Sequence, residues 1–281
     1  GPSAADATAH APPAGGAEPP ELHTPRKCYV CKGTFRRVHF FYDAMCAPCA
    51  ELNWAKRHQT ADLAGRVALV TGGRVKIGYQ AAIMLLRAGA RVVVTTRFPR
   101  DAAQRYAREA GFADWGDRLA VYGVDLRHTP SVETFCREML THYERLDVIL
   151  NNACQTVRRP AGFYDHLMRG EAGAPASLPV AERRLLVGHE RLRSPTARAT
   201  PRALVDSAQA SQVALLDEDR QRGHTLFPAG QLDADLQQVD LRDRNSWRLT
   251  LAEVSSVELL EVYLVNTVAP FVLNARLKPL M

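Results

Sequence analysis

No run of apolar residues among these 281 residues reaches the length needed to cross a bilayer. The first residues also lack the charged and apolar regions of a secretory signal. The expectation is a soluble, intracellular (cytoplasmic) protein with no membrane partner. Cysteine is scarce, six residues in all, which sets the chain apart from disulfide-dense secreted scaffolds. Blocks of one charge sign are missing too. The formal net charge of +6 is spread along the sequence, which suits anionic ligands but does not by itself point to nucleic acid. There is no internal repeat. What is present in quantity is apolar residue, 46% of the chain, enough for one sizeable α/β domain and a small accessory module.

Residues 1–20 are rich in Ala, Pro and Gly and nearly free of large apolar residues, the composition of a disordered tail. Residues 21–60 form a cysteine-bearing module, and 61–281 a dinucleotide-binding domain with a long insertion at about 157–255. Within the domain, strands are expected at 67–71, 91–96, 119–124 and 147–151. Helices are expected near 78–88, 100–111, 130–144 and 256–276. This alternation describes a parallel sheet covered by helices. Residues 168–203 show no convincing period and read as a mobile loop.

The segment 67–90, VALVTGGRVKIGYQAAIMLLRAGA, carries the most chemistry. A buried strand ends in a glycine turn that opens a helix, and Gly89 suits the left-handed position beyond that helix. The free N–H groups and positive dipole end of such a helix form a phosphate site. Further along, VVVTTR ends in Arg97, AVYGVDLR contains Asp125, LDVILNNA ends in paired asparagines, and VN places Asn266 in a later helix.

This series resembles the short-chain dehydrogenase/reductase family over about residues 62–157 and 256–281. The resemblance implies a Rossmann-type doubly wound sheet, incomplete here, binding a nicotinamide dinucleotide at its switch point. By that resemblance Gly72 and Gly78 line the pyrophosphate, and Thr71 and Ile77 are also among the cofactor-binding residues. Asp125 and Leu126 border the adenine, and Asn151 and Ala153 the far ribose. Asn266 supports a water-linked proton relay to the catalytic centre. A ribose 2′-OH asks for an acid after the second strand, and a 2′-phosphate asks for arginine. Thr95-Thr96-Arg97 offers no carboxylate, and Arg74 and Lys76 stand in the glycine loop. Three converging cations with no competing acid favour NADP(H), NAD being possible.

Two positions depart from the family: Lys76 stands where a third glycine is usual, and Cys154 where glycine commonly follows NNA. No tyrosine is followed four residues later by lysine, although the family's chemistry uses such a pair to tune a phenol towards neutral pH. The expectation is therefore an incomplete domain, the N-terminal portion of a reductase-like protein. It should bind cofactor more readily than it turns substrate over. The uncharged strand Val148-Ile149-Leu150, left on a sheet edge, would need more chain or a partner to cover it.

Cys28-x₂-Cys31 and Cys46-x₂-Cys49 have the spacing of two knuckles closing a tetrahedral, structural Zn²⁺ site. Disulfides and a redox CxxC are the competing readings. Cys136 reads as buried packing. The aromatic and basic run TFRRVHFFY (34–42) either packs on the zinc core as a small hairpin or stacks on nucleic acid. Trp54 and the basic residues after it continue as a short helix. The insertion can serve as a lid, a substrate-selecting surface or a subunit contact.

The resemblance implies an oxidoreductase interconverting a small-molecule carbonyl and an alcohol. A nucleotide-binding pseudoenzyme or adaptor, contacting a partner through the zinc module and the insertion, is the alternative, and a zinc-dependent nucleic-acid binder a third. Family members commonly pair through helices equivalent to 130–144 and 256–276, so a homo-oligomer is expected by the same resemblance.

Overall fold

The computed structural model describes residues 20–194, 204–220 and 225–281. Residues 1–19 of the expected tail and 195–203 of the expected loop lie outside the described residues. The chain divides into two compact units, Gly1–Asp62 and Leu63–Met281.

In the first unit, β1 (Glu21–Lys27) pairs antiparallel with β2 (Thr34–Arg37), and α1 spans Ala47–Arg57. Lys32 takes φ +62° in the turn between the strands. Phe40 and Phe41 pack on Trp54 of α1 with ring centroids 4.8 and 5.1 Å away. The aromatics of the 34–42 run thus serve a small hairpin-and-helix core.

The second unit starts with β3 (Val67–Thr71), α2 (Lys76–Arg87), β4 (Arg91–Thr96), α3 (Pro99–Ala107) and the single turn α4 (Phe112–Trp115). It continues through β5 (Leu119–Gly123), α5 (Thr129–His142) and β6 (Val148–Leu150). The four strands are parallel in the order β5-β4-β3-β6. Chain progression reverses between β3 and β6, which creates the topological switch point.

Alternation along the strands divides the core between the two faces of the sheet. Leu69 and Val93 join Phe135, Met139, Leu273 and Leu277 on one face. Val70, Val92 and Val94 join Ile83, Leu86 and Tyr106 on the other. Among the described residues no strand pairs with the outer side of β6, where Val148 is 40% exposed.

The insertion is more ordered than its composition suggests. Much of the expected loop is helical: α6 (Asp165–Glu171), α7 (Val180–Leu185) and α8 (Val187–Arg193). Leu185 and Leu186 are buried against the α2–α3 face, and Leu192 against the opposite one. Tertiary burial stabilises helices too short to persist alone. The short α9 (Ser207–Ala210) follows, capped by the Asp206 carboxylate.

The last helical run corrects a second expectation. Ser256–Leu280 is long and apolar enough to span a bilayer by length and composition. The sequence alone hid this, because Glu258 and Glu261 at its start break the apolar count. In the fold it comprises α10 (Ser256–Tyr263), a π-turn at Leu264–Val268 and α11 (Ala269–Leu277). Ala269, Val272, Leu273 and Leu277 face the core beside α5, and Glu261 is buried in ion pairs. Tyr263 and Phe271 remain exposed on the outer side.

Candidate functional site

The cleft at the carboxyl ends of β3 and β6 is built by short hydrogen bonds. Thr71 Oγ1 accepts from the Ala153 amide at 3.0 Å and lies 3.4 Å from the Leu150 carbonyl as donor. Asn152 Nδ2 donates to the carbonyls of Thr71 and Gly72 at 3.0 and 3.3 Å, and the buried Tyr106 hydroxyl donates to the Gly73 carbonyl at 2.5 Å. Thr71 therefore works as a clamp between strands. Asn152, the second of the paired asparagines, and Tyr106, which sequence reasoning passed over, fix the path of the glycine turn.

That path leaves no room for side chains. A Cβ on Gly78 would lie 2.4 Å from Asn152 Nδ2 and 2.5 Å from the Gly72 carbonyl oxygen. Gly72 has φ +68°, and Lys76 takes φ +56° where the family's third glycine would stand. Lysine is thus accommodated by a strained left-handed backbone, with its ammonium 3.7 Å from Asp235. Val75, the residue before α2, contributes no side-chain cap. The N–H groups of the first turn are therefore not answered by a capping side chain, the arrangement that receives a phosphate. Ile77 beside them is 77% exposed.

The expected cations are present but engaged. Arg74 is buried and donates to Asp101 at 2.8 Å, and Arg105 donates to the same carboxylate at 2.7 Å. Burial pushes the Asp101 carboxyl up, but the two guanidinium groups outweigh it and hold it below the usual carboxylate range. An acid does compete, contrary to the sequence reading, because Asp101 sits on the first turn of α3 and reaches back to the glycine loop. Arg97 donates to the Tyr164 hydroxyl at 2.5 Å and stacks on that ring at 4.6 Å.

On the β5 side, the buried Asp125 carboxylate accepts from Arg127 Nη2 at 2.6 Å and from its Nε at 3.0 Å. Burial opposes ionisation of Asp125, and Arg127 overrides it. Arg127 continues to Glu261 at 2.9 Å, Glu261 to Arg158 at 3.0 Å, and Arg158 to Asp219 by two bonds of 2.6 Å. The Leu126 side chain is buried in the core, so only its main chain can face the cleft. Across the cleft Asn151 is exposed and donates to Asn274 at 3.2 Å, with Ala153 half-buried beside Gly72. Asn266 exchanges two bonds with the main chain of Gln155, accepting at 2.8 Å and donating at 3.0 Å. Its side chain anchors the segment leaving β6.

The first unit holds a separate constellation. The sulfurs of Cys28, Cys31, Cys46 and Cys49 all lie within 4.8 Å of one another, Cys31 and Cys46 at 3.6 Å. Four thiolates 2.3 Å from one tetrahedral Zn²⁺ would be spaced about 3.8 Å apart, so the set fits a metal. Burial opposes ionisation of Cys28, but main-chain N–H groups of Cys46, Cys31 and Val30 bring its thiol down to about 6. Hydrogen bonding with Cys46, together with burial, pushes Cys49 up to about 12. A divalent cation is the natural answer to such crowding.

Residues 66–166 match the family described as short chain dehydrogenase. An uncharacterized protein of Acanthamoeba polyphaga mimivirus is 39% identical over 137 residues, covering 47% of this chain and 29% of that protein. Hydroxynaphthalene reductase-like protein Arp2 of Metarhizium guizhouense is 36% identical over 98 residues, 35% of this chain and 36% of its own. Human retinol dehydrogenase 14 is 36% identical over 115 residues, 35% and 34% of the respective chains. The chain thus spans about a third of the length of the curated relatives it matches. A Pseudomonas aeruginosa RhlG/NADP active-site complex aligns with 26% identity, 47% and 49% coverage and a TM-score of 0.31. A gluconate 5-dehydrogenase from Burkholderia cenocepacia in complex with NADP and tartrate gives 26%, 46% and 49%, and 0.30.

Proposed function

We propose that residues 63–281 are the coenzyme-binding portion of a short-chain-type oxidoreductase that uses NADP(H) to interconvert a small-molecule carbonyl and an alcohol. The observation that carries this reading is the tight glycine turn, in which Gly72 and Gly78 pack against Ala153 and Asn152 with no room for a Cβ, leading into an α2 whose N-cap residue Val75 supplies no side-chain bond. A pyrophosphate there would meet main-chain N–H groups and the positive end of α2. When bound, the nicotinamide supplies or accepts a hydride. The chain's own residues bind and orient: Gly72 and Gly78 hold the turn tight against Ala153 and Asn152 so that it can border the pyrophosphate, and Asn151 and Ala153 bound the far ribose. Asp125 fixes Arg127 on the adenine side, and Arg97, with Arg74 and Lys76 behind it, offers positive charge to a 2′-phosphate. Asn266 holds the main chain of Gln155 at the cleft mouth and so positions this rim for a proton relay. The tyrosine–lysine pair of the family's chemistry is not among these 281 residues, so these residues alone should bind coenzyme with little turnover.

In this reading Cys28, Cys31, Cys46 and Cys49 hold a structural Zn²⁺ in the first unit, their four sulfurs leaving no open coordination position. Calorimetric titration with NADPH and NADH tests the coenzyme assignment. Binding of NADPH, tighter than NADH and abolished in a Gly78→Val variant that still melts cooperatively, is the expected result. No heat with either coenzyme overturns it.

A further inference from the structure

The coenzyme end of the sheet is not evenly open. On the β6 side, Asn151 and Cys154 are exposed and Ile77 stands free at the start of α2. On the β4–β5 side, each group suited to an adenosine 2′-phosphate already has a partner, and most of those partners come from the insertion. Tyr164 takes the Arg97 fork and covers its plane. Ser207 Oγ donates to the Arg97 carbonyl at 2.8 Å. Asp235 draws the Lys76 ammonium, while its carbonyl and that of Leu236 accept from Arg105 at 3.0 and 2.8 Å. Both oxygens of Glu171 receive the Arg100 amide at 3.1 and 3.2 Å, and one also receives the Asp101 amide at 2.9 Å. The Glu171 carboxyl group thus occupies the first-turn N–H groups of α3, where an anion could otherwise bind. Beneath these contacts Phe98 of the β4–α3 turn is buried with Phe163, Tyr164, Leu167, Ala208 and Phe227.

We infer that the insertion is an autoinhibitory plug: residues 161–171, 207–210 and 235–236 occupy the adenosine end of the cleft, and a coenzyme carrying a 2′-phosphate has to displace them. The inference rests on the dinucleotide reading above and adds to it a regulated affinity. The Asp235 carboxylate repels the phosphate that would replace it, and Glu171 occupies the α3 amides that would otherwise receive it. Apparent affinity is therefore reduced by the fraction of molecules in which the plug is seated. Among the described residues none of these contacts falls on Asn151, Ala153 or Cys154, so the two halves of the coenzyme should be affected unequally.

The test titrates the whole chain, loaded with zinc, separately with 2′,5′-ADP and with nicotinamide mononucleotide, as wild type, Tyr164→Phe and Glu171→Ala. Tyr164→Phe keeps the ring packing and releases the Arg97 fork. Each variant should bind 2′,5′-ADP at least about fivefold more tightly than wild type, with mononucleotide affinity changed by less than about twofold. Equal 2′,5′-ADP affinity in all three proteins overturns the plug and leaves dinucleotide binding standing. Failure of every form to bind either fragment, NADPH or NADH overturns both. Hydrogen exchange supplies a readout free of substitutions. Saturation with NADPH should speed exchange across 165–171 while slowing it across 72–78, and unchanged or slower exchange across 165–171 overturns the plug.

Discussion

Lys76 holds a left-handed backbone, φ +56°, while its ammonium lies 3.7 Å from a carboxylate oxygen of Asp235. The strain and the ion pair sit on one residue, and substitutions separate them.

At an ordinary helical position glycine is less stable than alanine by about 0.5–1 kcal/mol. A left-handed position reverses the sign, because the Cβ there costs about 1–2 kcal/mol. Lys76→Gly should therefore be more stable than Lys76→Ala by about 1 kcal/mol in urea denaturation. Equal or inverted stabilities would show that the loop takes another path. Loss of the half-exposed pair with Asp235 contributes less than about 1 kcal/mol in either variant.

Glu261 bridges Arg127 and Arg158 in a site from which water is largely excluded. Glu261→Ala leaves two guanidinium groups short of a partner and should cost about 3 kcal/mol, read as a drop in denaturation midpoint. Glu261→Gln should lose less, since its amide oxygen still accepts. A loss below about 1 kcal/mol for the alanine variant would contradict the buried network.

Two buried groups tilt the pH profile in opposite directions. Burial, helped by Arg193, lowers His189 to about 3 from its ordinary 6.5, and its Nδ1 accepts from the Gly123 amide. A base depressed in the folded state stabilises fully above pH 6.5 and loses that contribution as pH falls towards 3. His189→Gln should therefore show a flatter loss of stability than wild type between those limits.

Glu171 has the reverse sign. Burial raises it to about 7 from 4.5, against the lowering effect of the Asp101 and Arg100 amides, while the Asp101 carboxylate adds to the rise and the Arg100 guanidinium opposes it. Its contribution is complete below pH 4.5 and fades as pH rises through 7. Protection of residues 165–171 against hydrogen exchange, corrected for intrinsic rates, should accordingly weaken from pH 5 to pH 8, and Glu171→Gln should remove that dependence. A dependence that persists in the variant would assign it to another group.

For the cysteine module, metal analysis should return about one zinc per chain, and Cys28→Ser should lower it below half. Chelator should change the Trp54 signal, because Phe40, Phe41 and His58 pack around that indole on the helix that carries Cys49. Full-length material without metal but with unchanged Trp54 emission would oppose a structural role.

How much of this was legible depends on the range of the interactions. The β-branched runs 67–71 and 91–96 match β3 and β4 residue for residue, because buried parallel strands are continuous apolar runs. Gly89 takes φ +99°, as a residue after a helix end does. Cys136 is buried, as its helical placement implied. The helices of 165–193 were not legible, since their apolar residues meet partners far away in sequence. The same distance hid Tyr164 and Glu171, which reach Arg97 and the start of α3 across about seventy residues. Asp101 lies within the family-like region, and its spacing of four from Arg105 was a usable signal that the glycine-loop cations have an acid among them.

The π-turn at Leu264–Val268 carries one residue more than a regular helix would need. Deleting a single residue there would restore a regular α-helix with its two ends close to their present phase, whereas adding one to the regular helix beyond it would rotate everything that follows by about 100°. Val272 and Leu273 would swing out of the sheet-facing layer, and Phe271 would turn to a new side of the cylinder. The phase of this helix, more than its hydrophobicity, decides which residues meet α5, so an added residue in α11 should harm folding more than most point substitutions.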